Sequence, residues 1–286
     1  LIAKNAKPVK PFDLGKLPSI ELIEYLKHPN RWFRQTTLRI LGDRKDESVL
    51  PILKKWLIED QAQLSLECLW AIYQIEGVEA SLKFGLLDHK NPKVRAWTFR
   101  LLCDEKRLPP SVSQFVDGFV YSEPDVETRT QIASSAKRLA KEHSLRIIQS
   151  LLHHQSDSTD PYQPLLIWWA IESNCEHGDQ IIELTRSTKE FWKNRLVVDH
   201  LAERLAKRFT LPAQRSSFIT LATLLEDAHR NNPDVAKKML NAVETASKSM
   251  TNLVFPQELL QVITKLGGGS LELQVRQKDM PSIQKA

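Results

Sequence analysis

The sequence predicts an all-α chain in which short helical hairpins stack side by side, an α-α superhelix. Three observations lead there. Apolar residues recur at helical spacing along the whole chain, alternating stretches of strand length are nearly absent, and one helix-sized segment returns downstream. Glycine is scarce, nine in 286 residues with three of them in the run 267–269. A glycine-rich nucleotide-binding turn or a propeller of tight hairpins would need more.

Apolar residues make up 42% and charged residues 26%, with 40 Lys+Arg against 35 Asp+Glu, a folded and not a disordered composition. The longest apolar run, Leu165 to Ile171, is too short to cross a bilayer, so no membrane-spanning segment is expected. The chain starts at leucine with neither initiator Met nor secretory signal, which reads as an excerpt of a longer protein. Cys68, Cys103 and Cys175 are an odd count at wide spacing, against a disulfide framework. The first two fall in apolar helical stretches, where a free Cys acts as a small core residue.

Taken in order, residues 1–18 read as a linker from a preceding domain and residues 19–188 as regular repeats. Arg31 to Gly42 (RWFRQTTLRILG) returns sixty-one residues later as Pro92 to Cys103 (PKVRAWTFRLLC). Arg34/Arg95, Thr37/Thr98, Arg39/Arg100 and Leu41/Leu102 are identical, and the stripe Phe33, Thr36, Thr37, Ile40 falls on Val94, Trp97, Thr98, Leu101. A unit of half that offset fits between them, with Leu66, Leu69, Trp70 and Tyr73 at the same spacing. A fourth copy opens at Pro124 and sets Arg129 thirty-four residues after Arg95, followed by Ile132, Ala133, Ala136 and Leu139. Gln131 and Ser135 weaken its stripe.

Partner helices are expected at Ile20 to Leu26, Val49 to Leu57, Val78 to Leu87, Val112 to Val120 and Leu145 to Leu152. Asn91-Pro92, Asp160-Pro161 and Asn232-Pro233 each put a capping residue before a proline suited to the first helical position. Ser187 with Glu190 has capping-box spacing. Hairpins of about 30 to 38 residues belong to the length class of HEAT-type repeats. Each is too small to bury its apolar face alone, so neighbours must stack. Residues 189–269 read as degenerate repeats. Glu190 to Phe209 is expected as one longer helix, then Pro212 to Arg230, Asp234 to Lys248 and Pro256 to Leu266. The glycine run ends that stretch, and residues 270–286 begin a further repeat or tail.

The motif content points away from chemistry. HExxH, GxSxG, a P-loop, GxGxxG and CxxCH are all missing, and the eight histidines form no ligand set. Cys175-Glu176-His177 is a lone close pair, where zinc needs three or four ligands. No catalytic, cofactor-binding or metal residue is therefore expected in this segment, and no small-molecule ligand.

Trp32, Trp70, Trp97 and the pair Trp168, Trp169 fall on the second helix of a hairpin. A recurring packing wedge is the expected role, an aromatic groove for a ligand or bases the other reading. Residues 186–208 hold seven Lys or Arg against three Asp or Glu. Lys189, Lys193, His200, Arg204 and Lys207 follow one face at helical steps, a stripe that either docks an acidic domain or polyanion or is simply solvated. Arg34, Arg95 and Arg129 lie near helix starts, where the dipole disfavours cations. Pairing with acids of an adjacent hairpin, such as Asp43 or Asp88, is expected to hold them.

Two stretches carry a family resemblance. His28 to Arg34, continuing to Leu41, and Asp160-Pro161 through Pro164 to Glu172 (PLLIWWAIE) resemble the helical-repeat region of planctomycete-type membrane-bound dehydrogenases. In that family a β-propeller similar to soluble sugar dehydrogenases comes first, then HEAT repeats, then a cytochrome c domain with CxxCH. The resemblance covers nearly the whole chain, loosely after Lys189. It implies a non-catalytic scaffold between two redox modules, with flanking domains or another protein as partners. Haem c would belong to the parent protein and not to this segment. Because c-type haem is attached outside the cytoplasm, it also implies an extracytoplasmic location, periplasmic or membrane-associated. One alternative is a free-standing scaffold for protein–protein interaction. The other is a HEAT-like nucleic-acid-binding or DNA-repair protein, which the balance of charge over most repeats disfavours, so no nucleic acid partner is expected.

Overall fold

The computed structural model describes residues 12–59, 62–77, 85–248, 250 and 253–267, and among these the regular structure is entirely helical. Two compact units divide the chain, Leu1–Thr98 and Phe99–Ala286.

In the first unit, the Asp13 carboxylate accepts the Gly15 N–H and opens a short 3-10 turn, Leu14–Lys16. Helix α1 (Ser19–Leu22) tightens into the 3-10 segment Ile23–Lys27, which buries Leu22, Ile23 and Leu26. The expected helix over 20–26 is thus half α and half 3-10. Helix α2 (Arg31–Arg44) is opened by Asn30, whose side chain accepts the Trp32 N–H, and closed by Lys45 in the left-handed region. Arg44 at its end donates to the carbonyls of Leu17 and Gly15 at 2.7 and 2.6 Å, tying the leading turn to α2. Helix α3 (Leu50–Glu59) and helix α4 (Gln63–Glu76) follow, and α4 packs on both α2 and α3.

That packing turns α2 from its expected face. Thr37, Leu38 and Leu41 are buried, while Phe33 and Ile40 sit at the margins. Phe33 instead stacks on Phe12 and lies against His28. Helix α4 is covered nearly all round, with Leu66, Cys68, Leu69, Ala71 and Ile72 inside; each large aliphatic among them is worth about 1.5–3 kcal/mol when fully buried. Gly77 ends α4 at φ 75, a value that costs glycine little and other residues more. Most of the helix expected over 78–87 lies outside the described residues, although 85–87 are helical. Helix α5 (Pro92–Leu102) begins in this unit, and its Trp97 meets Trp70 edge to face at 5.1 Å.

The second unit contains α6 (Pro110–Ser113), α7 (Val116–Ser122), α8 (Val126–Ala136), α9 (Lys141–Leu151), α10 (Gln163–Glu172) and α11 (Gly178–Ser187). After an irregular stretch come α12 (Ala202–Thr210), α13 (Arg215–Asn231), α14 (Pro233–Ser247) and α15 (Gln257–Lys265). Helices pack on their sequence neighbours and on the next but one: α8 with α9 and α10, α12 with α13 and α14, and α13 also with α11 and α15. The weak stripe of α8 is repaired internally, because the Gln131 amide donates to the buried Ser135 hydroxyl.

Four sequence expectations are corrected here. The helix over 112–120 is two pieces, broken around Phe115. The long helix over 190–209 is not continuous. Glu190 is left-handed and Phe191–Lys193 is a 3-10 turn; the helix resumes at 195 and runs through the π turn Val197–Leu201 into α12. The cause is Asn194, whose side chain caps the Leu196 N–H, together with the adjacent buried rings of Phe191 and Trp192. Ser187 and Glu190 form no capping box, since Ser187 is the last residue of α11 and its hydroxyl donates to the Leu184 carbonyl. Asn232 does precede Pro233 at a helix start, but its amide donates to the Trp192 carbonyl at 2.9 Å and leaves the helix uncapped. The expected break at Gly267 has φ 105 there. Its continuation, the helix expected from Leu271 and most of the leading linker lie outside the described residues.

Candidate functional site

The loops that open α2, α5 and α8 share one construction. In the first, the Asn30 N–H donates to His28 Nδ1 at 3.0 Å, and Asn30 Oδ1 accepts the Trp32 N–H at 2.9 Å. In the second, the Asn91 N–H donates to His89 Nδ1 at 3.0 Å and Asn91 Oδ1 accepts the Lys93 N–H at 3.0 Å. In the third, acids replace both side chains: the Asp125 N–H donates to Glu123 Oε1 at 2.9 Å, and Asp125 takes the Thr128 N–H at 2.7 Å.

An arginine six residues after the first group closes each loop. Arg34 donates to the carbonyls of His28 and Pro29, both at 2.9 Å. Arg95 donates to those of His89 and Lys90 at 2.8 and 3.3 Å, and Arg129 to that of Glu123 at 2.8 Å. These carbonyls offset the unfavourable position of a cation in the first turn of a helix.

A carboxylate from farther along completes two of the clasps. Arg34 Nε is 2.7 Å from Glu67, which also accepts the Gln63 amide. Arg129 engages Asp157 through both Nε and Nη2, at 2.7 and 2.6 Å, and Asp157 accepts the Gln163 amide at 3.3 Å. For these two arginines the acids are therefore Glu67 and Asp157, not Asp43 or Asp88. Asp43 lies about 13 Å along the same helix from Arg34, whereas Glu67 comes from the second turn of α4 packed beside it.

Histidines tie one helix pair to the next. Because His89 Nδ1 accepts a backbone N–H, its proton sits on Nε2 and is donated to the Leu57 carbonyl at 2.9 Å. His154 Nε2 lies 3.0 Å from the Val120 carbonyl and His200 Nε2 lies 2.8 Å from that of Ser158. Burial, the largest influence, holds the His154 imidazole below its ordinary range. A folded-state pKa below the unfolded one means stability present above about pH 6.5 and lost as pH falls through the folded value. H154Q keeps a donor at the Nε2 position and is expected to flatten the acid limb of stability between about pH 7 and pH 5. Urea unfolding across that range checks it; parallel wild-type and variant curves would contradict it.

The five tryptophans named above, of the seven in the chain, occupy no single position. Trp70 and Trp97 meet each other and Trp168 is buried, but Trp32 is 56% and Trp169 39% exposed, the latter beneath the Lys137 ammonium at 5.5 Å. One recurring wedge is not what the structure holds. The basic stripe is also redistributed. Lys189 follows α11 and Lys193 lies in the 3-10 turn, whereas His200, half-buried, stands in the π turn that runs on into α12 with Arg204 and Lys207.

Lys189 and Lys193 instead line an open groove of about 460 Å³ at the C-terminal ends of α11 and α13. Arg186 and Arg230 stand in the last turns of those helices, where cations suit the dipole. Arg186 Nε pairs with buried Asp227 at 2.7 Å, Arg230 reaches the same carboxylate only at 3.8 Å, and Lys193 pairs with Glu190 at 3.2 Å. Asn194 and Asn232 fix this stretch from below by donating to the carbonyls of Leu152 and Trp192, at 2.6 and 2.9 Å. The sequence put two of the lysines on its candidate face and counted Arg186 in the basic segment without placing it there, while Asp227 and Arg230, on a helix about forty residues farther on, were not singled out.

All three cysteines are buried, and burial pushes the Cys103 and Cys175 thiols up to about 12. Among the described residues no three His, Cys, Asp or Glu side chains gather as a metal site, and no helix is long and apolar enough to cross a membrane. No family model, curated protein or solved structure matches the chain.

Proposed function

We propose that this chain is a non-catalytic HEAT-like scaffold, an α-α superhelix of stacked hairpins that holds other modules in place. The observation supporting this is the thrice-built clasp at 28/30/34, 89/91/95 and 123/125/129, in which equivalent residues make equivalent bonds. Repetition of that kind suits a quasi-one-dimensional array, where each module contacts its neighbours. Following the resemblance, the segment lies in an extracytoplasmic protein between a sugar-dehydrogenase-like propeller and a cytochrome c domain that carries the haem. Its role there is to set the distance between them. A free-standing scaffold for a partner protein is the second reading, and the charged groove favours it.

Removing one hairpin from the longer protein and following electron transfer between the flanking modules tests the positioning role. A slower rate is expected, and an unchanged rate overturns it. The array itself is tested by a chain ending at Thr188. In a row of modules it keeps the helical content per residue of its remaining hairpins; collapse to an unfolded chain overturns the array.

A further inference from the structure

We infer that the groove between α11 and α13 is a docking site for an acidic peptide segment of a partner protein. This deepens the scaffold reading by naming a partner chemistry and a place. Four cations line the groove, Arg186, Lys189, Lys193 and Arg230, against two carboxylates, Asp227 and Glu190. Two ion pairs neutralise Arg186 with Asp227 and Lys193 with Glu190. What remains is Lys189, with no ion-pair partner among the described residues, and Arg230, 75% exposed and 3.8 Å from an acid already held by Arg186. The excess charge therefore stands at the rim of a concave, open surface.

The groove is also prearranged. Asn194 is 5% exposed and holds the chain between Lys193 and Leu196 through two hydrogen bonds, and Asn232 anchors the Trp192 carbonyl. Little ordering of backbone is left for the moment of binding, which favours affinity. Carboxylates spaced along an extended peptide match cations spread along a groove, and each accepts charge-assisted hydrogen bonds from a lysine or arginine.

The test uses the whole chain and a fluorescein-labelled oligoglutamate peptide, followed by anisotropy. Binding is expected to weaken between ~0.01 M and ~0.15 M salt, where the Debye length falls from roughly 30 to 8 Å. Reversing Lys189→Glu with Arg230→Glu is expected to weaken it at least about tenfold. The same charge change on α12, Arg204→Glu with Lys207→Glu, is expected to weaken it less than about threefold. Equal losses from the two pairs overturn the assignment to this groove, as does an unaffected Kd. If the reversal disturbs folding by circular dichroism, Lys189→Gln with Arg230→Gln replaces it, and an unchanged Kd for that variant overturns the proposal. A single-stranded oligonucleotide that binds more tightly than the peptide, and is lost with the same reversal, overturns the choice of partner. All of these readouts are independent of the hairpin-deletion and truncation experiments, so either reading can fail alone.

Discussion

Replacing Arg129 with methionine is expected to destabilise the second unit by about 3–5 kcal/mol, because Asp157 is left as a buried charge without its counter-ion. The two side chains are 7% and 4% exposed, and the guanidinium makes a two-pronged contact with the carboxylate. Methionine conserves much of the stem volume, so packing loss is a minor part of the change. The double variant Arg129→Met, Asp157→Leu removes both charges and is expected to recover most of the loss, since paired buried ions seldom outperform apolar residues of similar size. Urea unfolding of the four-member mutant cycle measures this directly. A single-variant loss below about 1 kcal/mol would place the pair in the class of solvent-screened surface bridges and contradict the reading. Arg34→Met is expected to lose less, because its side chain is 16% exposed while Glu67 is 1%.

Asn194→Ala is the second large expected effect, about 2–4 kcal/mol. It strips the donor from the buried Leu152 carbonyl and the acceptor from the Leu196 N–H, and an orphaned buried polar group costs about 1–3 kcal/mol. The loss is expected to be local. Amide exchange over residues 188–201 should rise by more than exchange in α8 or α9, and affinity for oligoglutamate should fall although no charge has changed. Uniform acceleration of exchange across the second unit would mean that Asn194 supports the global fold and not this junction.

The helices were largely readable from the sequence because their signals are local. Apolar spacing and the Asn91 cap lie within a few residues of the turns they organise, and the Asn30 and Asp125 caps, equally local, were not picked out. The Arg34, Arg95 and Arg129 repeat was readable too, but not its chemistry. Part of each clasp is backbone carbonyl, which no sequence pattern displays, and the carboxylates come from 33 and 28 residues ahead. Periodicity also misled where it was strongest. Lys189, Lys193, His200, Arg204 and Lys207 fit a helical face only if the backbone stays helical, and Asn194 ends that condition by taking the Leu196 N–H itself. The groove was invisible for a similar reason, since Asp227 and Arg186 are forty-one residues apart. Trp32 and Trp97 illustrate the opposite error. One is the second residue of α2 and the other the sixth of α5, so a shared residue type did not mean a shared position.

Since each arginine is gripped by at least one carbonyl of the loop that precedes its own helix, part of its solvation shell travels with it. Moving such a loop and helix as a piece would keep that grip, while the partners left behind would have to be supplied again: the Glu67 or Asp157 carboxylate, the Leu57 carbonyl that His89 reaches, and the packed neighbouring helices. For an engineer, a transplanted segment therefore brings its own helix start but needs a recipient that offers both an acid and an apolar face.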